Sequence, residues 1–162
     1  MAKYVALVSG ELAEVSGTAT SAGAGDAGKI VQLDAGGRLD TTVMPVGIGA
    51  DTASITASEA LSAGDVVNIH AGGVRKADAS NGRQVHGFVI AAVASAASGT
   101  VYFEGRITGL TGLTVGAPMY LGVSGALTAT PPTTAGHISQ RVGTAISATE
   151  VSFEAQRHVT LA

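Results

Sequence analysis

The segment Gly23–Lys29 is the part of the chain that most resembles a site for chemistry. Its sequence, GAGDAGK, satisfies both G-x-G-x-x-G and G-x-x-x-x-G-K. A phosphate-binding loop follows an apolar strand, continues with Ser or Thr for Mg²⁺ and opens a helix. Here Thr18–Ala22 precedes the loop and Ile30 occupies the position of the hydroxyl residue. The composition of Ser16–Gly28 therefore predicts a flexible linker rather than a nucleotide site.

The four histidines are the next candidates, because imidazole is a common metal ligand and acid–base group. His70, His86, His137 and His158 are scattered, and no H-E-x-x-H motif occurs. The spacing predicts no metal site within one chain. The alternative is a ring of identical histidines around a three-fold axis of an oligomer.

Paired carboxylates are the residues that glycoside hydrolysis requires. Glu104, Glu150 and Glu154 fall on predicted strands or directly beside one, with Arg106 and Arg141 as natural ion-pair partners. Aromatic platforms for sugar rings are scarce, because aromatics make up 4% of the chain and tryptophan is absent. No G-x-S-x-G nucleophile motif occurs. We therefore predict no catalytic residue, no cofactor and no small-molecule substrate.

Composition narrows the classes of partner. The 162 residues carry a net charge of −3, and Arg75-Lys76 is the only adjacent basic pair, which disfavours nucleic-acid binding. No run of about 18 apolar residues occurs, so the sequence predicts no membrane-spanning helix. Cysteine is absent, which excludes disulfides. The apolar content comes mainly from small residues that bury little area each. Such a chain is expected to complete its core with partner subunits.

From residue 51 onward, short apolar segments alternate with Gly-rich turns, a pattern typical of an all-β sandwich or barrel. Ser58–Ser62 is the one predicted helical turn. The predicted strands are Ala53–Thr56, Asp65–His70, Gly73–Ala77, Val85–Val93, Thr100–Ile107, Pro118–Leu121, Ala126–Thr130, Arg141–Ile146 and Val151–Ala155.

Residues 1–50 have a different character, and we predict an extended N-terminal arm and linker followed by a β-domain over 51–162. The arm contains an apolar strand at Tyr4–Val8. A second short strand is predicted at Ile30, Val31 and Leu33, before a turn at Asp34–Gly37. The apolar side chains of these two strands are the candidate partner contacts: Tyr4, Val5, Leu7, Ile30, Val31 and Leu33.

Several segments resemble known modules of tailed-phage virion proteins. Gly28–Pro45, which begins GKIVQLDAGGRLD and continues through a short apolar segment to Pro45, is similar to a motif of phage fibre and head proteins. Pro118–Glu154, which includes YLG, GALT and QRVGTAIS, resembles a recurring virion β-module. The order of SAGDVV (62–67), GVRKA (73–77), GFVIAAV (87–93) and ASGTVYFEG (97–105) resembles the capsid cement, or head decoration, proteins.

That resemblance implies a small, tulip-like β-domain that acts without bond chemistry. The expected protein is a homotrimer on the outside of the virion capsid, made in the host cytoplasm. It would clamp neighbouring major-capsid subunits, with the arm adding a strand to a neighbour. Three alternatives stay open: a tail-fibre or baseplate-associated β-domain, a carbohydrate-binding module or hydrolase of a phage tail, and a secreted bacterial β-domain.

Overall fold

The computed structural model describes residues 3–44 and 50–162. The chain divides into two compact units, Met1–Gly49 and Ala50–Ala162, which we call the N-terminal and C-terminal units. The all-β prediction is confirmed, because the described residues form fourteen strands and only three short 3-10 turns. No helix in these residues is long and apolar enough to cross a membrane.

The N-terminal unit begins with a β-hairpin. Strand β1 (Lys3–Val8) pairs antiparallel with β2 (Glu11–Ser16), and Leu7 lies opposite Leu12. Ser9 (φ 52°) and Gly10 (φ 90°) form the two-residue connection, and positive φ at both positions is typical of a type I′ turn. The predicted strand Tyr4–Val8 is therefore present, and its partner β2 was not predicted.

The rest of the N-terminal unit contains little regular structure. Two 3-10 turns, Ala24–Asp26 and Thr41–Val43, are its remaining described elements. The predicted strand at Ile30, Val31 and Leu33 is wrong, because Val31 makes only an isolated parallel bridge to Thr18. A strand needs several successive residue pairs with a neighbouring strand. Here the backbone hydrogen bonds of the bridge involve one residue on the other side, Thr18, which bonds to Ile30 and Gln32. The extended arm stays a prediction.

The C-terminal unit contains two five-stranded antiparallel sheets and one two-stranded sheet. The first sheet has the order β3-β7-β6-β4-β5, the second β10-β9-β12-β13-β8, and β11 pairs with β14. The strands are β3 (Thr52–Thr56), β4 (Val66–His70), β5 (Gly73–Lys76), β6 (Gly87–Phe88), β7 (Ser98–Tyr102), β8 (Gly105–Ile107), β9 (Pro118–Leu121), β10 (Leu127–Thr128), β11 (Ile138–Ser139), β12 (Arg141–Ala145), β13 (Val151–Phe153) and β14 (Val159–Thr160).

The main core lies between the two large sheets, which makes this unit a sandwich. Val66 and Phe88 of the first sheet pack with Leu121 and Val142 of the second. Phe88 is central, because its ring lies 5.5 Å from that of Tyr102 and 5.0 Å from that of Phe153. In the described residues neither sheet closes on itself, so the sandwich and not the barrel is the architecture.

A second core covers the opposite face of the first sheet. Val67, Val74 and Val101 point to this side, and Leu61 and Val93 cover them from irregular segments. The change from Val66 in one core to Val67 in the other follows the two-residue period of a strand. Both faces of this sheet are therefore buried, although antiparallel sheets commonly leave one face to solvent.

Three predictions in the C-terminal unit are wrong. Thr100–Ile107 was expected to be one strand, but it divides into β7 of the first sheet and β8 of the second. Val85–Val93 was expected to be one strand, but only Gly87–Phe88 pairs, because Val89 then donates to the Asp65 carbonyl and Val93 pairs with Leu61. Ser58–Ser62 forms no helical turn, since Leu61 bonds to Val93 through both its N–H and its C=O. These residues instead form the lid of the second core.

Candidate partner-binding surface

Exposed apolar side chains are concentrated in the N-terminal unit. The C-terminal unit, although much longer, exposes six large ones: Ile69, Ile90, Val115, Val123, Ile146 and Val159. The described part of the N-terminal unit exposes eight: Val5, Leu7, Val8, Leu12, Ile30, Val31, Leu33 and Leu39. Among the described residues, every buried apolar side chain belongs to the C-terminal unit. The described part of the N-terminal unit therefore presents eight large apolar side chains to solvent.

One face of the hairpin carries the most exposed of these side chains, and we call it the hairpin face. It consists of Val5, Leu7 and Leu12, which are 69%, 70% and 78% exposed. Leu7 and Leu12 are cross-strand neighbours, and Val5 follows two residues earlier on the same face. Lys3 and Glu14 form a 2.9 Å ion pair that borders this face. The arrangement is an apolar strip with a polar edge, as in the core and rim of a protein interface.

Tyr4, another predicted contact, is placed differently from Val5 and Leu7. Its side chain lies on the opposite face of the hairpin and is half-buried. The phenolic oxygen of Tyr4 accepts a hydrogen bond of 3.2 Å from the Ile30 backbone N–H. Tyr4 thus holds the Ile30 segment against the hairpin, while Ile30, Val31 and Leu33 remain exposed to solvent. Of the six predicted contacts, only Val5 and Leu7 lie on the hairpin face.

Leu12 belongs to the hairpin face and was not predicted. The signal was in the sequence: Ser9-Gly10 separates KYVALV from ELAEVS. A two-residue Gly-containing link between two strand-length segments indicates a hairpin. Once the hairpin is recognised, its register places Leu12 opposite Leu7.

The Gly23–Lys29 loop is built around an internal ion pair. Lys29 Nζ lies 2.6 Å from Asp26 Oδ1, and Asp26 Oδ2 accepts from the Ala22 N–H at 2.6 Å. The hydrogen bond from Lys29 and then that from Ala22 lower the pKa of the Asp26 carboxyl. The carboxylate therefore neutralises the one cation of the loop and occupies donors that a phosphate would need.

We expect no heat of binding when this protein is titrated with ATP and Mg²⁺ in a calorimeter. The Asp26 carboxylate would repel a phosphate, and the three-residue 3-10 turn supplies no extended helix N-terminus. Asp26→Asn, which removes the repulsion, is the matched control and is also expected to bind nothing. A micromolar dissociation constant that Lys29→Ala abolishes would contradict this prediction.

The histidines occupy separate places in the C-terminal unit. His158 Nδ1 lies 2.9 Å from Gln84 Oε1. His86 is half-buried, and its Nδ1 accepts a 2.9 Å hydrogen bond from the Ile69 N–H, which requires the neutral ring. Burial lowers the pKa of His86. In residues 3–44 and 50–162, no group of three or more His, Cys, Asp or Glu could hold a metal ion.

We expect the stability of the C-terminal unit to decrease as the pH falls below the ordinary histidine pKa of about 6.5. The unfolded chain then binds a proton at His86 that the folded chain resists, so unfolding becomes favoured. The contribution of neutral His86 to the free energy of unfolding is fully present above about pH 6.5 and is lost as the pH falls below that value. Urea midpoints at pH 7.5 and 5.5 measure it. His86→Gln keeps an acceptor for Ile69 and should reduce the pH dependence; an unchanged dependence would contradict the assignment.

The predicted carboxylates make separate local contacts. Glu150 Oε2 lies 3.9 Å from Arg106 Nη1, which is the ion pair that the sequence indicated. Glu104 Oε1 instead accepts from the Asp51 N–H at 3.2 Å, and Arg141 donates to the Thr144 hydroxyl at 2.8 Å. Each of these groups makes a local structural contact.

No protein-family model matches this chain, and no curated protein matches it significantly.

Proposed function

We propose that this chain is a structural virion protein that decorates and stabilises the head of a tailed phage. It attaches to the outside of the capsid and clamps neighbouring major-capsid subunits. The hairpin face is the observation that carries the proposal, because three large apolar side chains stand in solvent on an otherwise regular element. The ordered series of sequence motifs that resemble cement proteins supplies the choice of partner.

The attachment would work through burial of the hairpin face against a capsid subunit. Fully burying one Val or Leu side chain stabilises a contact by roughly 1.5–3 kcal/mol. Three such side chains per chain give a weak single contact once the cost of association is subtracted. A homotrimer would present three hairpin faces at once, and effective concentration would make the combined attachment much tighter. In the proposed function, attachment depends on surface burial and on the number of copies, and no covalent bond is made or broken.

Co-sedimentation with purified capsids that lack this protein tests the proposal. We expect wild type to bind at low salt and at about 1 M salt, where the Debye length is about 3 Å, because apolar burial survives screening. The double variant Leu7→Ser/Leu12→Ser should lose binding. Val115→Ser removes a similarly exposed apolar side chain from the C-terminal unit and is the matched control.

Two outcomes would contradict this function. In the first, wild-type protein fails to sediment with any capsid. In the second, wild type dissociates at high salt while the double variant still binds at low salt, which would mean that the contact is electrostatic.

A tail-fibre or baseplate location is the second candidate, and Gly28–Pro45, of which Pro45 lies outside the described residues, favours it because that segment resembles a fibre motif. Within it, Asp34 Oδ1 accepts from the N–H groups of Gly36 and Arg38, so the turn is closed by its own side chain. Separated heads and tails decide between the locations. Sedimentation with tails alone would replace the capsid assignment with this one.

A further inference from the structure

Strand β7 has a partner along its whole length on one side only. Strand β3 pairs with it from Ser98 to Tyr102. On the other side β6 contributes a single pair, Phe88 with Tyr102, because the chain leaves the sheet after Phe88. Within the described part of the chain, the edge of β7 from Ser98 to Thr100 therefore has no strand beside it.

The direction of the backbone groups along this edge follows from two hydrogen bonds. The Phe103 N–H donates to the Asp51 carbonyl at 2.9 Å, and the Ala97 carbonyl accepts from the Ala57 N–H at 2.8 Å. Backbone groups of alternate residues in a strand point to opposite sides. The odd-numbered residues of β7 thus face β3, and Ser98 and Thr100 direct their N–H and C=O groups to the unpaired side.

A solvent-open groove of about 330 Å³ lies along this edge, between β7 and the irregular segment 90–94. We call it the β7 groove. No charged side chain lines it, and several of its walls are alanines. Val93 packs where a side chain on Gly99 would stand, because a Cβ there would lie 2.9 Å from Val93 Cγ1. The groove therefore combines an unpaired strand edge with small uncharged walls. Such a surface fits an uncharged strand, since a buried unpaired charge is costly.

The same chain contains a strand with the matching properties. Val8 and Glu11 flank the two-residue turn and form its hydrogen-bonded pair, so the backbone groups of Val5 and Leu7 point away from β2. Tyr4–Val8 carries no charge. Unlike the hairpin face, which consists of side chains, this outer edge of β1 consists of backbone donors and acceptors.

We propose that β1 of a second copy of this chain adds to β7 in the β7 groove. The contact is head-to-tail, since the edge of β1 and the groove are different surfaces. Head-to-tail contacts form a closed ring when the rotation between copies allows it. Three copies related in this way are the homotrimer, so this inference rests on the proposed function for the number of copies only.

Cysteine cross-linking tests the contact directly, because the natural chain contains no cysteine. Protein with Leu7→Cys is mixed with protein that carries Ser98→Cys or Thr100→Cys, and the mixture is oxidised. We expect the mixed disulfide dimer at about ten times the yield of the control mixture. In the control, Leu7→Cys protein is mixed with Val115→Cys protein, whose cysteine is at an exposed position elsewhere. Equal yields would overturn the proposal. A chain that carries both cysteines is oxidised at low protein concentration as a second test. If it forms only intramolecular disulfides, the proposal is also overturned, because β1 of the same chain would then occupy the β7 groove.

Light scattering supplies an independent measurement without cysteines or capsids. Ile90→Asp places a charge at the wall of the β7 groove, at a side chain that is already exposed. We expect it to weaken self-association at least about tenfold, the effect of roughly one or two lost backbone hydrogen bonds. Val123→Asp, at an exposed turn, should leave the wild-type mass unchanged.

A monomeric wild type at micromolar concentration, or equal effects of the two aspartates, would overturn the β7-groove proposal. A trimeric wild type in which the two aspartates act equally would leave the proposed function standing, because another contact would then form the trimer that binds capsids. Conversely, a trimeric protein that does not bind capsids would be consistent with the β7-groove contact and would contradict the proposed function.

Discussion

Substituting Gly143 by alanine is expected to lower the free energy of unfolding of the C-terminal unit by about 4 kcal/mol or more. Gly143 lies in β12, between β9 and β13. A Cβ at this position would collide with the Ser152 carbonyl oxygen, and it would lie 2.9 Å from Val151 Cγ1 and 3.0 Å from the Ser152 carbonyl carbon. Backbone cannot rotate away as a side chain can, so the two strands would have to separate.

Thermal unfolding followed by circular dichroism measures the effect, which should be a decrease in Tm of about 15 °C or more. Gly25→Ala is the control, because Gly25 has ordinary φ and no atom lies within 4 Å of the point that its Cβ would occupy. That variant should unfold within about 0.5 kcal/mol of wild type. If Gly143→Ala were as stable as Gly25→Ala, the close pairing of β12 and β13 would be incorrect.

Replacing Gln140 by leucine is expected to cost about 3 kcal/mol of stability, since each buried backbone group left unsatisfied costs about 1–3 kcal/mol. The Gln140 side chain is buried and acts as a substitute strand partner for Val85. Its Oε1 accepts from the Val85 N–H at 2.7 Å, and its Nε2 donates to the carbonyls of Val85 and Gln156 at 3.3 and 2.8 Å. Leucine would leave all of these backbone groups without the amide that now pairs with them.

Urea unfolding at neutral pH measures this loss. Gln156→Leu is the matched control, because Gln156 is exposed and contributes its backbone carbonyl rather than its side chain to this contact. Gln140→Glu should be at least as destabilising as leucine, since it buries a charge and loses the Nε2 donor. A leucine variant with wild-type stability would mean that water replaces the amide at Val85.

The architecture was predictable from the sequence where local signals agree. Pro118–Leu121 is a strand with the predicted limits, because an apolar segment there is followed by the turn residues of Val123–Gly125. The predicted strand Val85–Val93 was wrong because it rested on the apolar run Phe88–Val93. An uninterrupted apolar run has the same sequence pattern in a buried strand and in an irregular segment that covers a core. In the structure Val89 and Val93 are buried while Ile90 is exposed, and the residues between them form no strand.

The candidate surface was predictable in residue type but not in arrangement. Val5 and Leu7 could be identified as apolar residues of a short terminal strand. The bond from the Ile30 N–H to Tyr4 joins residues far apart in sequence, and no local propensity encodes such a contact. The same holds for the β7 groove, which exists because the chain leaves the sheet after Phe88 and returns only at Ser98.

The sheet that contains Val66 and Val67 is shared by both cores of the C-terminal unit. Removing either core would strip one side of the same strands and leave the other core without a wall. The two cores are therefore expected to be lost together, so that their stabilities act as one cooperative unit. Under the proposed function, such coupling would spread a local load across the C-terminal unit and leave neither core to open first.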